Sequence, residues 1–466
     1  MMRADYGDDS PIAAFATTPG SSALTLIRCS GKGSPDLVSS VFKSGKNGAP
    51  LLKETPGNTV IHGWITAADE KIDEVLISVF KSPKSYTGED SLDICCHGGV
   101  CAGKAVMNVL KTAGFRDALP GEFTFRAFMN GKIDLTRSES VMELVCAKTE
   151  TGRRHAVSRL SGSLEKEINE IKTSLVQVLA GAEIFLDYSE DEISADAEEA
   201  AGKLPNKGIA LDVLNRLKKL SDSWRLERIY QEGITVVIAG PVNAGKSSLF
   251  NSLLKEDRSI VTEVPGTTRD WIEAFVSIEG IPVRLIDTAG LRDADDSVEK
   301  IGVERSRKLL QEADIVLFLF DGEAGHDNKP PDISASCLYI WNKCDISPLP
   351  QPFPLEGIVP ISVSAKTGEG IADLYNAISS VIHEQAGSQL NNETDCAALG
   401  TARQKKLTDA AYRALEEALA LTERDEPLDL IAPLLREAVN SLGEITGEVS
   451  TADILEEMFS RFCVGK

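Results

Sequence analysis

Three patterns of apolar residues follow one another along this chain. Between positions 11 and 130, short β-rich runs at 24–28, 60–65 and 73–80 are punctuated by glycine and read as strands. Gly98 and Gly99 then open a segment at 100–113 that reads as a helix, so the first part is expected to be α+β. From 131 to 232 the period lengthens: Leu160, Leu164, Ile168, Ile171, Leu175 and Val178 recur every three or four residues, one apolar stripe of a helix. The run 187–199 has seven acids and no bases, a solvated loop or helix start. From 233 to 385 strands alternate with helices, the mark of a doubly wound parallel sheet. A polar linker is expected at 388–394, and the pattern from 399 to 462 is helical again.

The predicted organisation is therefore multidomain: an α+β domain at 1–130, a helical domain in two parts at 131–232 and 386–466, and an α/β domain at 233–385 inserted between them. Composition narrows the class. With 42% apolar and 26% charged residues among 466, the chain reads as soluble and globular. It has no apolar run long enough for a membrane span, and residues 1–10 lack the regions of a secretory signal. Nine cysteines without a CxxC pair, beside five scattered histidines, suggest free thiols in a reducing cytoplasm rather than a zinc site. A net charge of −22 argues against unspecific nucleic-acid binding, which needs lysine and arginine to displace counterions.

The inserted domain carries the clearest chemistry. A strand at 234–239 runs into Gly240-Pro241-Val242-Asn243-Ala244-Gly245-Lys246-Ser247, and a helix continues from Ser248. This GxxxxGKS segment, with strand before and helix after, is a phosphate loop: backbone amides converge on phosphate oxygens and the helix N-terminus adds positive potential. Lys246 is expected to bridge the terminal phosphates and Ser247 to ligate magnesium. The strand 283–286 delivers Asp287-Thr288-Ala289-Gly290, a carboxylate for magnesium and an amide that senses the terminal phosphate. Between them lies Gly266-Thr267-Thr268-Arg269-Asp270, where Thr268, or its neighbour Thr267, can complete the magnesium shell.

Guanine is favoured by Asn342-Lys343-Cys344-Asp345, which follows the apolar run 337–341. The Asp345 carboxylate can accept both the ring N–H and the exocyclic amine of guanine, whereas adenine would leave it unpaired. Asn342 braces the loop, Lys343 covers the base, and Ser364-Ala365-Lys366 supplies a backbone N–H to the base oxygen. Many small GTPases place a water-orienting glutamine directly after the DTAG segment; here that position is Leu291, so Arg292, Asp293 and Glu299 become candidates. Asn243, inside the phosphate loop, is placed either to ligate a monovalent cation or to bond its own backbone. Near the C-terminus, Cys463 stands fourth from the end, but Gly465 and Lys466 fit a prenylation box poorly. Residue type alone favours a buried structural thiol at Cys463; a neighbouring lysine would favour a nucleophile.

Together the NAGKSSL, GTTRD, DTAGLR and FCVGK segments, with a GTPase domain set inside a helical one, resemble the tRNA-uridine-modification GTPase family (MnmE/TrmE type) over nearly the whole chain. The resemblance implies a cytoplasmic homodimer with a folate-binding N-terminal domain, no membrane attachment, and a heterotetramer with an FAD-binding partner of the MnmG/GidA type. It implies an aminomethyl or carboxymethylaminomethyl group added to carbon 5 of the wobble uridine of certain tRNAs, with 5-formyl- or methylene-tetrahydrofolate as one-carbon donor. It assigns potassium to Asn243, Thr262, Val264 and Thr267, and magnesium to Ser247 and Thr268. Ser248, Glu263 and Pro265 join the GTP site, Glu299 orients the water, and Cys463 takes part in the modification. Folate contacts fall on Arg28, Asp93, Lys132 and Lys466; Asp93 stands where the family usually has glutamate, and Gly20–Thr25 replaces its glycine-rich segment.

A regulatory RNA-binding GTPase of ribosome assembly would share the GTPase motifs but usually carries a basic appendage, which this sequence lacks. A GTP-dependent scaffold would instead form polymers with nucleotide. Turnover is expected to be faster in potassium chloride than in sodium chloride at equal ionic strength; equal rates would remove the monovalent cation from the mechanism.

Overall fold

The computed structural model describes residues 6–18, 20–45, 52–68, 70–187, 204–255, 259–260, 272–288, 308–323, 335–353, 355, 357–386 and 397–465. The chain packs as two compact units: Met1–Met142 with Glu165–Val213 and Ala410–Lys466, and Glu143–Leu164 with Leu214–Asp409.

In the first unit β1 (Ile12–Phe15), β2 (Leu24–Ser30), β3 (Phe42–Ser44), β4 (Thr59–Ala67), β5 (Glu70–Phe80), β6 (Ser91–His97) and β7 (Arg116–Asp117) form one sheet in the order β3-β4-β5-β6-β2-β1-β7. Its neighbours are antiparallel except β1 and β7. Alternation sends Ile27 and Cys29 of β2, Val75, Ile77 and Val79 of β5, and Leu92, Ile94 and Cys96 of β6 to one face. There they pack on Val106, Met107 and Leu110 of the helix Val100–Ala113. Arg28 and Asp93, the residues between, are directly paired across β2 and β6. The strands predicted at 24–28, 60–65 and 73–80 fall inside β2, β4 and β5, and the helix at 100–113 is present.

The helix Ser163–Asp187 buries Leu164, Ile168, Ile171, Leu175 and Val178 completely, as the stripe predicts. Leu160 does not belong to that stripe. It ends the separate helix Glu150–Leu160, and Gly162, at φ 97°, turns the chain between the two. The acidic run beyond Asp187 and the linker at 388–394 lie outside the described residues. Among the described residues no helix is long and apolar enough to cross a membrane.

The second unit is built on β8 (Ile234–Ala239), β9 (Ser259–Ile260), β10 (Ile272–Ile278), β11 (Ile281–Asp287), β12 (Ile315–Asp321), β13 (Ser336–Asn342) and β14 (Ile361–Ser362). Their order is β14-β13-β12-β8-β11-β10-β9. From β14 to β11 the pairs are parallel; β10 and β9 extend the sheet antiparallel, so it is mostly rather than wholly parallel. The central strands read as nearly unbroken apolar runs because both faces are covered. Val236, Ile238, Leu317 and Leu319 enter one core with Leu249 and Leu374, while Val237, Val316, Phe318 and Trp341 enter another.

A buried charge cluster ties the helical segments of this unit together. Arg159, 2% exposed, lies 2.7 Å from carboxylate oxygens of both Glu143 and Glu227, and His155 Nδ1 is 2.7 Å from the second oxygen of Glu227. Burial alone would raise the Glu227 carboxyl, but the His155 hydrogen bond and the Arg159 charge hold it down, from an ordinary 4.5 to about 2. A depressed carboxyl stabilises the fold above its unfolded pKa and loses that contribution as pH falls through the folded value. Glu227→Gln is therefore expected to cost roughly 3 kcal/mol near neutral pH, with the deficit shrinking as pH falls from 4.5 towards about 2. Urea unfolding near pH 7 and near pH 3 checks this; an equal deficit at both would contradict it.

Candidate functional site

The phosphate loop leaves β8 at its C-terminal end. Gly240 takes φ 145°, and a Cβ there would lie 2.6 Å from the Leu319 carbonyl on β12. Asn243 and Gly245 take φ 66° and 87°, a left-handed region that asparagine tolerates and glycine adopts freely. The helix Lys246–Lys255 begins at once, with Leu249 N donating to Gly245 O at 2.9 Å. Lys246 is buried and curls back over the loop, donating to the carbonyls of Gly240 and Pro241 at 3.2 and 2.8 Å.

Parallel pairing sets Asp287, at the end of β11, beside Ile238 of β8. The fully buried Asp287 carboxylate accepts from Ser247 Oγ at 2.6 Å, and Thr288 Oγ1 donates to Ile238 O at 2.8 Å. A hydroxyl and a carboxylate from separate elements thus converge beside the loop, a hard-oxygen donor set of the kind magnesium prefers.

Across the same sheet edge, β13 ends in Asn342. Its buried side chain donates to Ala244 O at 2.7 Å and accepts from Ala365 N at 3.1 Å. Lys343 takes φ 64°, and its ammonium lies 2.9 Å from Asp321 and 2.7 Å from Glu323. The Glu323 hydrogen bond raises the Lys343 pKa; partial burial opposes it and the Asp321 hydrogen bond adds to it. Asp345 is exposed and accepts from Ser364 Oγ at 2.6 Å. The strand before Ser364, β14, is only two residues long, and Val359 just upstream is 87% exposed.

The structure therefore brings together Asn243, Ala244, Gly245, Lys246, Ser247, Asp287, Thr288, Asn342, Lys343, Asp345, Ser364 and Ala365 along one edge of one sheet. Thr262, Glu263, Val264, Pro265, Gly266, Thr267, Thr268, Ala289, Gly290, Leu291, Arg292, Asp293 and Glu299 lie outside the described residues. Asp321 and Glu323 escape sequence reasoning, because nothing in the spacing of two acids after an apolar run says which cation they meet.

The N-terminal unit holds a second group. Arg28 Nε lies 3.0 Å from Asp93 Oδ1, with the guanidinium 5.7 Å from the ring centroid of Tyr86 and 6.0 Å from that of Phe123. Burial raises the Tyr86 pKa, opposed by a Thr124 hydrogen bond and by Arg28. Lys132 Nζ donates to Pro83 O at 2.9 Å. Cys463 is exposed, which corrects the expectation of a buried structural thiol. Its neighbour Phe462 fills the core with Phe459 and Leu455, and that packing turns the cysteine outward. The Cys463 carbonyl accepts from Gly121 N at 3.4 Å, and Gly465, at φ 97°, abuts the Phe15 carbonyl so closely that a Cβ would lie 2.3 Å from it. Lys466 lies outside the described residues. Tyr86 and Phe123 are missed by sequence reasoning, since strand pairing and helix placement bring them to Arg28.

Known proteins match this chain along its length. Residues 11–132 match the family profile described as GTP-binding protein TrmE N-terminus, and residues 135–463 match that of the MnmE helical domain. The tRNA modification GTPase MnmE of Treponema denticola is 43% identical over 484 aligned positions, covering all of both chains. The protein of the same name from Carboxydothermus hydrogenoformans is 40% identical over 98% of this chain and all of its own length. That of Borreliella afzelii is 38% identical over 98% of each.

A Cβ at Gly245 would lie 2.3 Å from Asn342 Nδ2 and would also be strained at this φ. Gly245→Ala is expected to weaken GDP and GTP binding at least about tenfold by displacing Asn342 from Ala244. Calorimetry measures this, and wild-type affinity in the variant would show that the contact is dispensable.

Proposed function

The chain belongs to the tRNA modification GTPase MnmE family, and on that footing we propose that it hydrolyses GTP as the conformational switch of a tRNA-modifying enzyme. One observation carries the GTPase reading: the Asn342 side chain joins the phosphate loop at Ala244 to the base-recognition loop at Ala365, beside a Ser247–Asp287 pair. In this reading the triphosphate lies against the amides of residues 243–248, Lys246 turns from the Gly240 and Pro241 carbonyls to the phosphates, and Asp345 pairs with guanine.

Ser247 and Thr268 would hold magnesium, with Asp287 behind them, and the ion would neutralise charge on the phosphate oxygens. Asn243, Thr262, Val264 and Thr267 would hold potassium, and Glu299 would orient the attacking water. The monovalent cation would do the work of an arginine finger, with two G domains meeting across a homodimer.

For the N-terminal unit we propose a tetrahydrofolate site at Arg28, Asp93, Lys132 and Lys466. The Arg28–Asp93 pair flanked by Tyr86 and Phe123 offers paired charges beside aromatic faces, which suits a flat heteroaromatic with hydrogen-bonding edges. The exposed Cys463 would serve the transfer to carbon 5 of the wobble uridine, in company with the FAD-binding partner. The strongly acidic balance of the chain fits a division in which that partner supplies much of the charge for tRNA.

Cys463→Ser is expected to abolish wobble-uridine modification in a strain lacking the native chain, while GTP turnover stays within about twofold of wild type. Mass spectrometry of tRNA nucleosides and phosphate release measure the two. Modification that survives the change, or turnover lost together with it, would overturn this division of labour.

A further inference from the structure

Each recognition residue of the Asn342-Lys343-Cys344-Asp345 segment is held by a specific neighbour. Asn342 is held by Ala244 and Ala365, and Asp345 by Ser364. The nucleotide reading gives Lys343 a task over the base but assigns it no partner in the protein. The partner in the structure is the last residue of β12.

Asp321 is 4% exposed and pairs in register with Asn342 across β12 and β13, so parallel strand pairing brings it beside Lys343. Its two carboxylate oxygens lie 2.9 and 3.1 Å from Lys343 Nζ. The first also accepts from Glu323 N at 3.0 Å, which curls the chain so that Glu323 reaches the same ammonium at 2.7 Å. Gly322, between the acids, donates to Asn342 O at 3.1 Å; a Cβ there would lie 2.6 Å from that oxygen. The Asp-Gly-Glu turn is therefore fitted to the backbone of the recognition segment, with two carboxylates aimed at one ammonium. A buried carboxylate needs its counter-charge, and removing either partner leaves the other uncompensated. Lys343 also stands in a left-handed conformation that costs backbone energy, so its position is set by its surroundings and not by local preference.

We infer that Asp321, assisted by Glu323, is a positioning residue for guanine-nucleotide binding: it fixes the Lys343 ammonium so that the lysine stem forms one wall of the base site. The inference rests on the GTPase reading above and adds to it a determinant on β12, the strand next to the one that carries the motif. Its effect is on how long nucleotide stays bound. The Asp321 carboxylate has no part in the reaction, so hydrolysis of bound GTP is untouched.

The test uses the full-length chain and a fluorescent GDP analogue displaced by excess GDP. Asp321→Asn is expected to speed dissociation about tenfold, and the exposed change Glu323→Gln about threefold, with turnover at saturating GTP within about twofold of wild type. In a Lys343→Met background, Asp321→Asn is expected to add less than about twofold, because the residue it positions is gone. Fast dissociation with unchanged turnover is a signature that general loosening of the fold does not give. Wild-type dissociation rates in both single variants, or losses that multiply in the double variant, overturn the inference. Should Asp321→Asn fail to fold, Glu323→Gln decides alone, and a wild-type rate there refutes the inference. Absence of GDP binding by the wild-type chain would sink the GTPase reading itself, an outcome distinct from these.

Discussion

One carboxamide organises the nucleotide site. Asn342 offers a donor and an acceptor on the same planar group. It spends the first on Ala244, 98 residues earlier in the chain, and the second on Ala365, 23 residues later. Because the group is buried, leaving either bond unmade would cost the desolvation of a polar atom, so the two loops are held at one spacing. Gly245 is the other half of this constraint, since any side chain there would occupy the place of the amide nitrogen. A ligand that bridges phosphate loop and base loop meets a site whose span is already set, which reduces the ordering that binding must supply.

The same logic of buried polar groups shapes the N-terminal unit. Glu122 is fully buried and takes Arg116 at 2.6 Å, Arg126 at 2.9 Å and the Leu119 N–H at 2.8 Å. It is the first residue of the helix Glu122–Met129, and Phe123, the next, stands beside Arg28. Gly121, just before, donates its N–H to the carbonyl of Cys463. One charge hub thus places the start of a helix that serves both the Arg28–Asp93 pair and the C-terminal thiol. Phe459 and Phe462 anchor the tail in a core shared with Leu135, so the thiol is exposed on a segment that is itself well packed. Exposure on a well-packed support is what the role proposed for this thiol would need.

Much of this was legible from residue order. The alternation of strands and helices from 233 to 385, the GxxxxGKS loop and Asp287 at a strand end are local patterns, and each appears where its pattern puts it. The helix at Val100–Ala113 begins directly after Gly98 and Gly99, the two glycines that mark its start in the sequence. Where local reading failed, the cause was a break or a pairing that the pattern does not encode. Leu160 matches the helical stripe in spacing, yet Gly162 interrupts the helix. Cys463 is of a residue type that is usually buried, yet a phenylalanine beside it takes the buried position.

Residue order carries the set of chemical groups and their local backbone: glycines where the chain must turn left-handed, a lysine and a serine at a helix start, an asparagine, lysine and aspartate at the end of an apolar strand. Which groups answer one another follows from the fold. Asp321 meets Lys343, Arg28 meets Asp93 and Arg159 meets Glu227. A charge or hydrogen-bond pairing is a contact over a few ångströms between residues distant in the chain, and strand register and helix packing, not spacing in sequence, set that distance.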